Sequence, residues 1–325
     1  TEEWAFSGLP PSTPAAGYAN AIVGEIYYNS STGLFKAITD GGAPIGTWAS
    51  GGSLNTARRV YDNSAGVQTN GLVFSGYTTA NVADTEHYNG SSWTELNNLN
   101  TARRAGAGAG TVYTAAFCAT GISTARVTNN ETWDGTNWTE VNEVNTARNS
   151  AASSGSLTAG LIFAGEAPSD TGATESWDGT SWTEVSDMNT ARSFIAGTGT
   201  QTAALAISGQ NGPGTTRYTN VEEWNGSSWT EIADVNATRS VAGSSGTVST
   251  ALFFAGEGPS VSAATEAWNG SSWTEINDLS TARGDTSGLG SSILALCSGG
   301  TTPSLTGATE EFTAPEFVIK TMTTS

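Results

Sequence analysis

One sixteen-residue passage constrains this chain more than any other. It reads WNGSSWTEINDLSTAR from Trp268 and returns as WNGSSWTEIADVNATR from Trp224 and WDGTSWTEVSDMNTAR from Trp177. Further copies are WDGTNWTEVNEVNTAR from Trp133, YNGSSWTELNNLNTAR from Tyr88 and a shortened TWASGGSLNTAR from Thr47. The tryptophans Trp48, Trp93, Trp138, Trp182, Trp229 and Trp273 recur at steps of 45, 45, 44, 47 and 44 residues. No helical periodicity interrupts those steps, so each holds four short strands, the content of one blade of a β-propeller.

The grammar inside a repeat is regular. A Thr-Glu-x-Trp strand, here strand C, leads into Asn269-Gly270, which is expected to form a type I′ hairpin turn with both residues at positive φ. Strand D follows from Ser272 to Ile276, and a polar loop runs to Thr281. Strand A is expected to start at the repeated arginine, with small residues such as those of 103–108 suiting the crowded axis. Strand B is an apolar run ending in glycine (71–76, 160–165, 251–256), as for a strand buried on both faces. The last strand C, Thr309 to Phe312, has no Trp-Thr-Glu after it, and the orphan strand 46–50 supplies the missing partner.

These features predict an all-β fold: a six-bladed propeller over residues 46–313, four antiparallel strands per blade. An N-terminal strand closes the last blade in a 1+3 arrangement, which leaves no open sheet edge. Residues 1–45 form an N-terminal arm and 314–325 a C-terminal tail.

The pattern resembles kelch-repeat propellers. There a small-residue pair such as Gly-Gly ends strand B, an aromatic ends strand C, a tryptophan sits in strand D and an arginine opens strand A. Here the pair is Ser75-Gly76, Ala164-Gly165, Ala255-Gly256 and Gly299-Gly300. More loosely, the near-identity of the copies and the hairpin GEIYYNSSTGLFK at 24–36 are similar to tail-fibre and appendage proteins of bacteriophages. That resemblance implies a virion-borne or extracellular protein.

Charge narrows the partners. The chain carries 30 Asp+Glu against 12 Lys+Arg, a net charge of −18. Nucleic acid and anionic membrane surfaces both call for a basic face, so neither is an expected partner. No run of about 18 apolar residues is present to span a bilayer. Two cysteines, Cys118 and Cys297, make no disulfide framework and are expected as buried free thiols on opposite faces of their blades.

Six arginines occur once per blade: Arg58, Arg103, Arg148, Arg192, Arg239 and Arg283. A guanidinium ring at the channel mouth would bind a carboxylate or sulfate ester, as a carbohydrate-binding or carbohydrate-active propeller would. The equal count of strand-C glutamates (Glu86, Glu131, Glu175, Glu222, Glu266, Glu310) favours instead a structural pairing inside each blade. Catalysis finds no constellation: the single histidine, His87, sits beside the strand-C aromatic, and neither a metal-ligand spacing nor a nucleophile elbow is present. No metal or cofactor is expected.

Variation lies in the B–C loops, and function on a scaffold is usually carried by its variable loops. Candidate contacts there are Tyr77, Asn81, Asp170, Asn211, Arg217 and Tyr218, the last three in the longest loop, GQNGPGTTRYTN. The expected function is non-enzymatic recognition or assembly, with a protein or a surface glycan as partner. A structural subunit of an extracellular filament is the remaining reading. Thr1-Glu2-Glu3-Trp4 repeats the signature of Thr309 to Phe312, and a Pro-rich spacer follows. The arm hairpin, with aromatics Tyr27, Tyr28 and Phe35, needs a surface to bury against. Self-association through the arm is therefore expected, with residues 1–45 touching something other than their own propeller.

Overall fold

The computed structural model describes residues 26–29, 34–38, 46–61, 63–212, 216–314 and 319–321. The apolar runs form the second strand of each blade, and side chains such as Leu72, Val73 and Phe74 are wholly buried because a neighbouring blade covers each face. The small-residue segments form strand A: Ser64–Val67, Ala107–Val112, Ala152–Ser156, Ala196–Gly199, Gly243–Gly246 and Ser287–Gly290. Strand B is Asn70–Phe74, Ala115–Ala119, Ala159–Phe163, Ala204–Ile207, Ala251–Phe254 and Leu294–Ser298. Strand C is Thr85–Tyr88, Asn130–Trp133, Thr174–Trp177, Val221–Trp224, Thr265–Trp268 and Thr309–Thr313. Strand D is Trp93–Glu95, Trp138–Val141, Trp182–Val185, Trp229–Ile232 and Trp273–Glu275 in the first five blades.

Each sheet has the order A-B-C-D, and in blade 6 the fourth strand is Thr47–Ser50 from the N-terminal end of the ring. Its register pairs Thr47 with Thr313 and Trp48 with Phe312. The chain therefore folds as a closed six-bladed β-propeller, and no helix occurs among the described residues. No described helix is long and apolar enough to cross a membrane.

The core lies between blades rather than within one. Leu161 and Phe163 of blade 3 cluster with Ala204, Trp224 and Trp229 of blade 4, and four other junctions repeat this. Phe74, Phe163 and Phe254 each meet the strand-D tryptophan of the next blade at a ring distance of 4.9 Å. A wholly buried tryptophan removes about 150–250 Å² from water, roughly 4–6 kcal/mol as an upper bound.

A backbone ring ties neighbouring blades. The glycine closing each strand B donates its N–H to the carbonyl of the next blade's arginine, from Gly76 to Arg103 at 3.0 Å round to Gly300 to Arg58 at 2.8 Å. The residue before that glycine is also left-handed: Ser75, Thr120, Ala164, Ser208 and Ala255 have φ between 58° and 63°, and Gly299 has 66°. Two successive positive-φ residues turn the chain sharply, which is why this pair is small in every blade.

Three expectations need correction. The Asn-Gly turn is not type I′: Trp268 pairs with Trp273, leaving four residues between, and only Gly270 has positive φ. Asn269 instead accepts the backbone N–H groups of Ser271 and Ser272 on Oδ1, both at 2.9 Å. Asp134 and Asp178 do the same in blades 2 and 3, so either residue type serves.

Strand A starts several residues after the arginine, because a left-handed residue intervenes. Cys118 and Cys297 occupy equivalent positions, opposite Glu131 and Glu310, so they point to the same face of their blades. The structural counterpart of Gly121 is Gly300, not Gly299. Both thiols are free and wholly buried, and burial raises their pKa, that of Cys297 to about 11.

The second compact unit combines Thr1–Gly46 with Ala314–Ser325. Its described part is a three-stranded sheet. Ile26–Asn29 and Leu34–Ile38 form the hairpin, with Tyr27 opposite Lys36 and Tyr28 opposite Phe35. The C-terminal Ile319–Thr321 pairs along the other side of Leu34–Ile38, so tail and arm share one sheet. The Thr1 to Trp4 segment and the Pro-rich spacer lie outside the described residues.

Candidate functional site

The repeated arginines do not open onto the channel. Each is buried beneath the D–A loop and ion-paired to the strand-C glutamate of its own blade: Arg58–Glu86, Arg103–Glu131 at 2.6 Å, Arg148–Glu175 at 2.8 Å, Arg192–Glu222 and Arg239–Glu266 at 2.7 Å, and Arg283–Glu310 at 2.5 Å. The other carboxylate oxygen takes two N–H groups from the asparagine of the same loop. For Glu131 these are Asn100 N at 2.7 Å and Nδ2 at 2.9 Å. Asn55, Asn145, Asn189 and Asn236 repeat the contact, and Ser280 substitutes in blade 6. Asn-Thr-Ala-Arg and Thr-Glu are thus two halves of one clamp. Burial pulls the Arg148, Arg192 and Arg239 guanidinium groups below their usual pKa, opposed by the paired glutamates.

Above the clamps, the residue after each arginine pairs with the start of a B–C loop: Arg59 with Tyr77, Arg104 with Ile122, Asn149 with Glu166, Ser193 with Gln210, Ser240 with Glu257 and Gly284 with Thr301. The D–A and B–C segments therefore share one face. A left-handed residue follows in every blade, directly at Ala105, Ser150, Phe194, Val241 and Asp285 and one position later, after Val60, at Tyr61. Backbone hydrogen bonds join these residues around the axis, Ser150 N to Ala105 O at 2.8 Å, Phe194 N to Ser150 O at 2.9 Å and Val241 N to Phe194 O at 3.0 Å. Asp285 N then donates to Val241 O at 2.9 Å, and Val60 N to Asp285 O at 2.9 Å.

This ring divides the axis. Below it, strands A enclose a channel of about 280 Å³ lined by glycine, serine, threonine and alanine together with Val67 and Leu289. Above it lies a crater of about 500 Å³. Tyr61, Phe194 and Val241 also line the narrow space between, about 20 Å³, and so form the crater floor. Arg59, Arg104 and Arg217 line the walls together with Glu166, Glu257 and Asp285.

Charge is arranged as pairs. Arg59 meets Asp285 at 3.3 Å, Arg217 meets Glu257 at 3.4 Å, and Arg126 meets Glu166 at 2.6 Å. Burial pushes the Asp285 carboxyl up to about 6, with Glu257 adding to the shift and Arg59 and the Thr301 hydroxyl opposing it. Burial beside Asp285 likewise raises the Tyr61 phenol. Arg104 lies over the Tyr77 ring, 4.8 Å from its centroid, and donates to Asn81 Oδ1 at 2.8 Å.

The six loop residues expected as contacts fall in three places. Tyr77 and Asn81 hold Arg104 at the junction of blades 1 and 2. Arg217 lines the crater and donates Nε–H to Ser240 Oγ at 3.2 Å. Asp170, Asn211 and Tyr218 line a separate cavity of about 490 Å³ between blades 3 and 4, where Asp170 accepts the Gly212 N–H. The side chains of Tyr27, Tyr28 and Phe35 lie outside the described residues. His87 is hydrogen-bonded to Asn70 at 2.6 Å and stacked on Tyr113 at 4.1 Å, and burial lowers its pKa.

Sequence reasoning missed Arg59, Tyr61, Arg104, Phe194 and Asp285. Their signal was available: directly after six constant arginines, the sequence stops repeating. The fold and site together define a closed six-bladed propeller with a polar, charge-paired crater on its loop face. Comparison with protein-family models and with curated proteins found no match to this sequence.

Proposed function

We propose that the protein is a kelch-type propeller acting as a non-enzymatic recognition module, extracellular or virion-borne. It binds a host-surface or assembly partner, a protein or a surface glycan, through the crater face. One observation carries the reading. Six of the ten arginines are sealed into the clamps, and the remaining four (Arg59, Arg104, Arg126 and Arg217) gather at or beside the crater. The outer strands D meanwhile display exposed Glu95, Glu140, Glu184, Glu231 and Glu275. In a chain of net charge −18, that separation directs polar recognition to one face.

The opposite face has its own asymmetry. Val67, Val112, Ile293 and Leu294, the exposed large apolar side chains among the described residues, all lie at A–B turns of adjacent blades 1, 2 and 6. The test therefore pits one face against the other. The native protein and a Val67→Ser, Val112→Ser, Ile293→Ser variant are applied to a printed glycan array and to intact cells, alongside a screen for polysaccharide turnover. The reading expects binding without turnover, unchanged in the variant. Binding lost in the variant, or turnover of any polysaccharide, overturns it.

A further inference from the structure

Among the described residues, one arginine at the crater has no acidic partner. Arg59, Arg126 and Arg217 each meet an acidic side chain, and the six repeated arginines meet theirs in the clamps. Arg104 forms no ion pair among the described residues, yet it is held firmly. Its guanidinium lies over Tyr77 at 4.8 Å, and one terminal nitrogen donates to Asn81 at 2.8 Å. Asn81 is itself fixed by donating Nδ2–H to the carbonyls of Ile122 at 2.9 Å and Ser123 at 2.5 Å. Two loops thus position a guanidinium at the crater wall, and no described carboxylate pairs with it. Such preorganisation lowers the ordering cost of a planar, bidentate contact with a carboxylate.

The rest of the crater states what should carry that carboxylate. Tyr61 and Phe194 give an aromatic floor, while Gln210, Ser240 and Glu257 offer planar or hydroxyl polar groups around it. A pyranose ring presents the matching surfaces, an apolar C–H face and a girdle of hydroxyls. Multiple carboxylates are disfavoured, because Glu166, Glu257 and Asp285 stand at the other walls. A ligand with a single negative charge fits this distribution better than an acidic peptide.

We propose that the crater binds an acidic sugar residue, with Arg104 anchoring its carboxylate and Tyr77 and Asn81 positioning Arg104. This rests on the reading of the crater face as the recognition surface and names the chemistry of its ligand.

Calorimetric titration tests it, with glucuronate- and sialate-terminated oligosaccharides, their neutral counterparts and tri-glutamate as probes. The proteins are native, Arg104→Ser, Asn81→Ala and the double variant Arg59→Ser, Arg217→Ser. Serine already occupies the Arg104 position in blades 4 and 5, as Ser193 and Ser240, so Arg104→Ser is expected to fold. Native protein should bind the acidic sugars at least about tenfold more tightly than the neutral ones. Arg104→Ser should erase that preference, Asn81→Ala should weaken it, and added salt should reduce it. Equal binding of neutral sugars, a preference surviving Arg104→Ser, binding of tri-glutamate alone, or no sugar binding each overturns the proposal. If the double variant abolishes binding while Arg104→Ser spares it, the anchor is wrong and the crater reading stands. Binding that survives every substitution refutes both.

Discussion

Asp285 shows how a single residue in the crater trades stability for position. Its carboxyl retains a proton up to about pH 6 in the folded protein, against 3.8 for a solvated aspartate. The folded state therefore binds this proton more tightly than the unfolded chain does. The group's contribution is intact below about pH 4 and is lost as pH rises through about 6, by up to about 3 kcal/mol. Asp285→Asn should flatten that slope and exceed the native protein in stability at pH 7, and asparagine tolerates the left-handed backbone there. Urea unfolding at pH 4, 5, 6 and 7 decides this, and parallel stability profiles for the two proteins would contradict it.

A second residue-scale prediction concerns the blade junctions. Four strand-D tryptophans donate Nε1–H to the strand-C threonine of the preceding blade, as Trp93 to Thr309 at 3.0 Å and Trp138 to Thr85 at 2.9 Å. Blade 4 has Val221 in place of that threonine, and Trp273 donates to Ala233 O instead. Blade 2 has Asn130, and there Trp182 Nε1 and Asn130 Oδ1 are both buried with no partner among the described residues. Asn130→Thr should restore the bond and stabilise the fold by about 1 kcal/mol. An unchanged or lower denaturant midpoint would count against it.

At the scale of elements, the clamp joins a loop to a strand across each blade. Glu131→Gln would leave Arg103 buried without its carboxylate and should cost about 3–5 kcal/mol. A loss under about 1 kcal/mol, read by denaturant unfolding, would show the clamp to be incidental. The clamp was legible in the sequence because one arginine and one glutamate recur per repeat, and a fixed ratio reflects a fixed contact. Blade count and closure were legible for the same reason. The turn at Asn269 was not, since Asn-Gly suits both a two-residue turn and a four-residue loop closed by the asparagine side chain. The start of strand A was misplaced because positive φ at Ala105 or Val241 has no marker in residues that usually avoid it. The face shared by the two cysteines was not legible, because either glycine of Gly299-Gly300 matches the single closing Gly121 and one residue reverses the face of a strand. The crater stayed hidden because its residues occupy the positions where repetition ends.

At the scale of the whole molecule, regularity and function occupy different layers. Strands, clamps and backbone rings repeat around the axis, while the crater face differs in every blade. The ring is closed by its own N-terminal strand, so residues 46–314 should unfold in one cooperative transition and remain monomeric in sedimentation. If that fragment assembles as the full chain does, self-association does not run through the arm. The separation of layers meets its most direct test in a variant carrying Arg59→Ser, Arg104→Ser and Arg217→Ser, which leaves all six clamps intact. Its thermal unfolding and its binding to glycan arrays and cell surfaces are measured beside the native protein. The expected result is an unfolding temperature within a few degrees of native, on the order of 1 kcal/mol, with recognition lost. Recognition retained by a folded triple variant would contradict the assignment of function to the crater face.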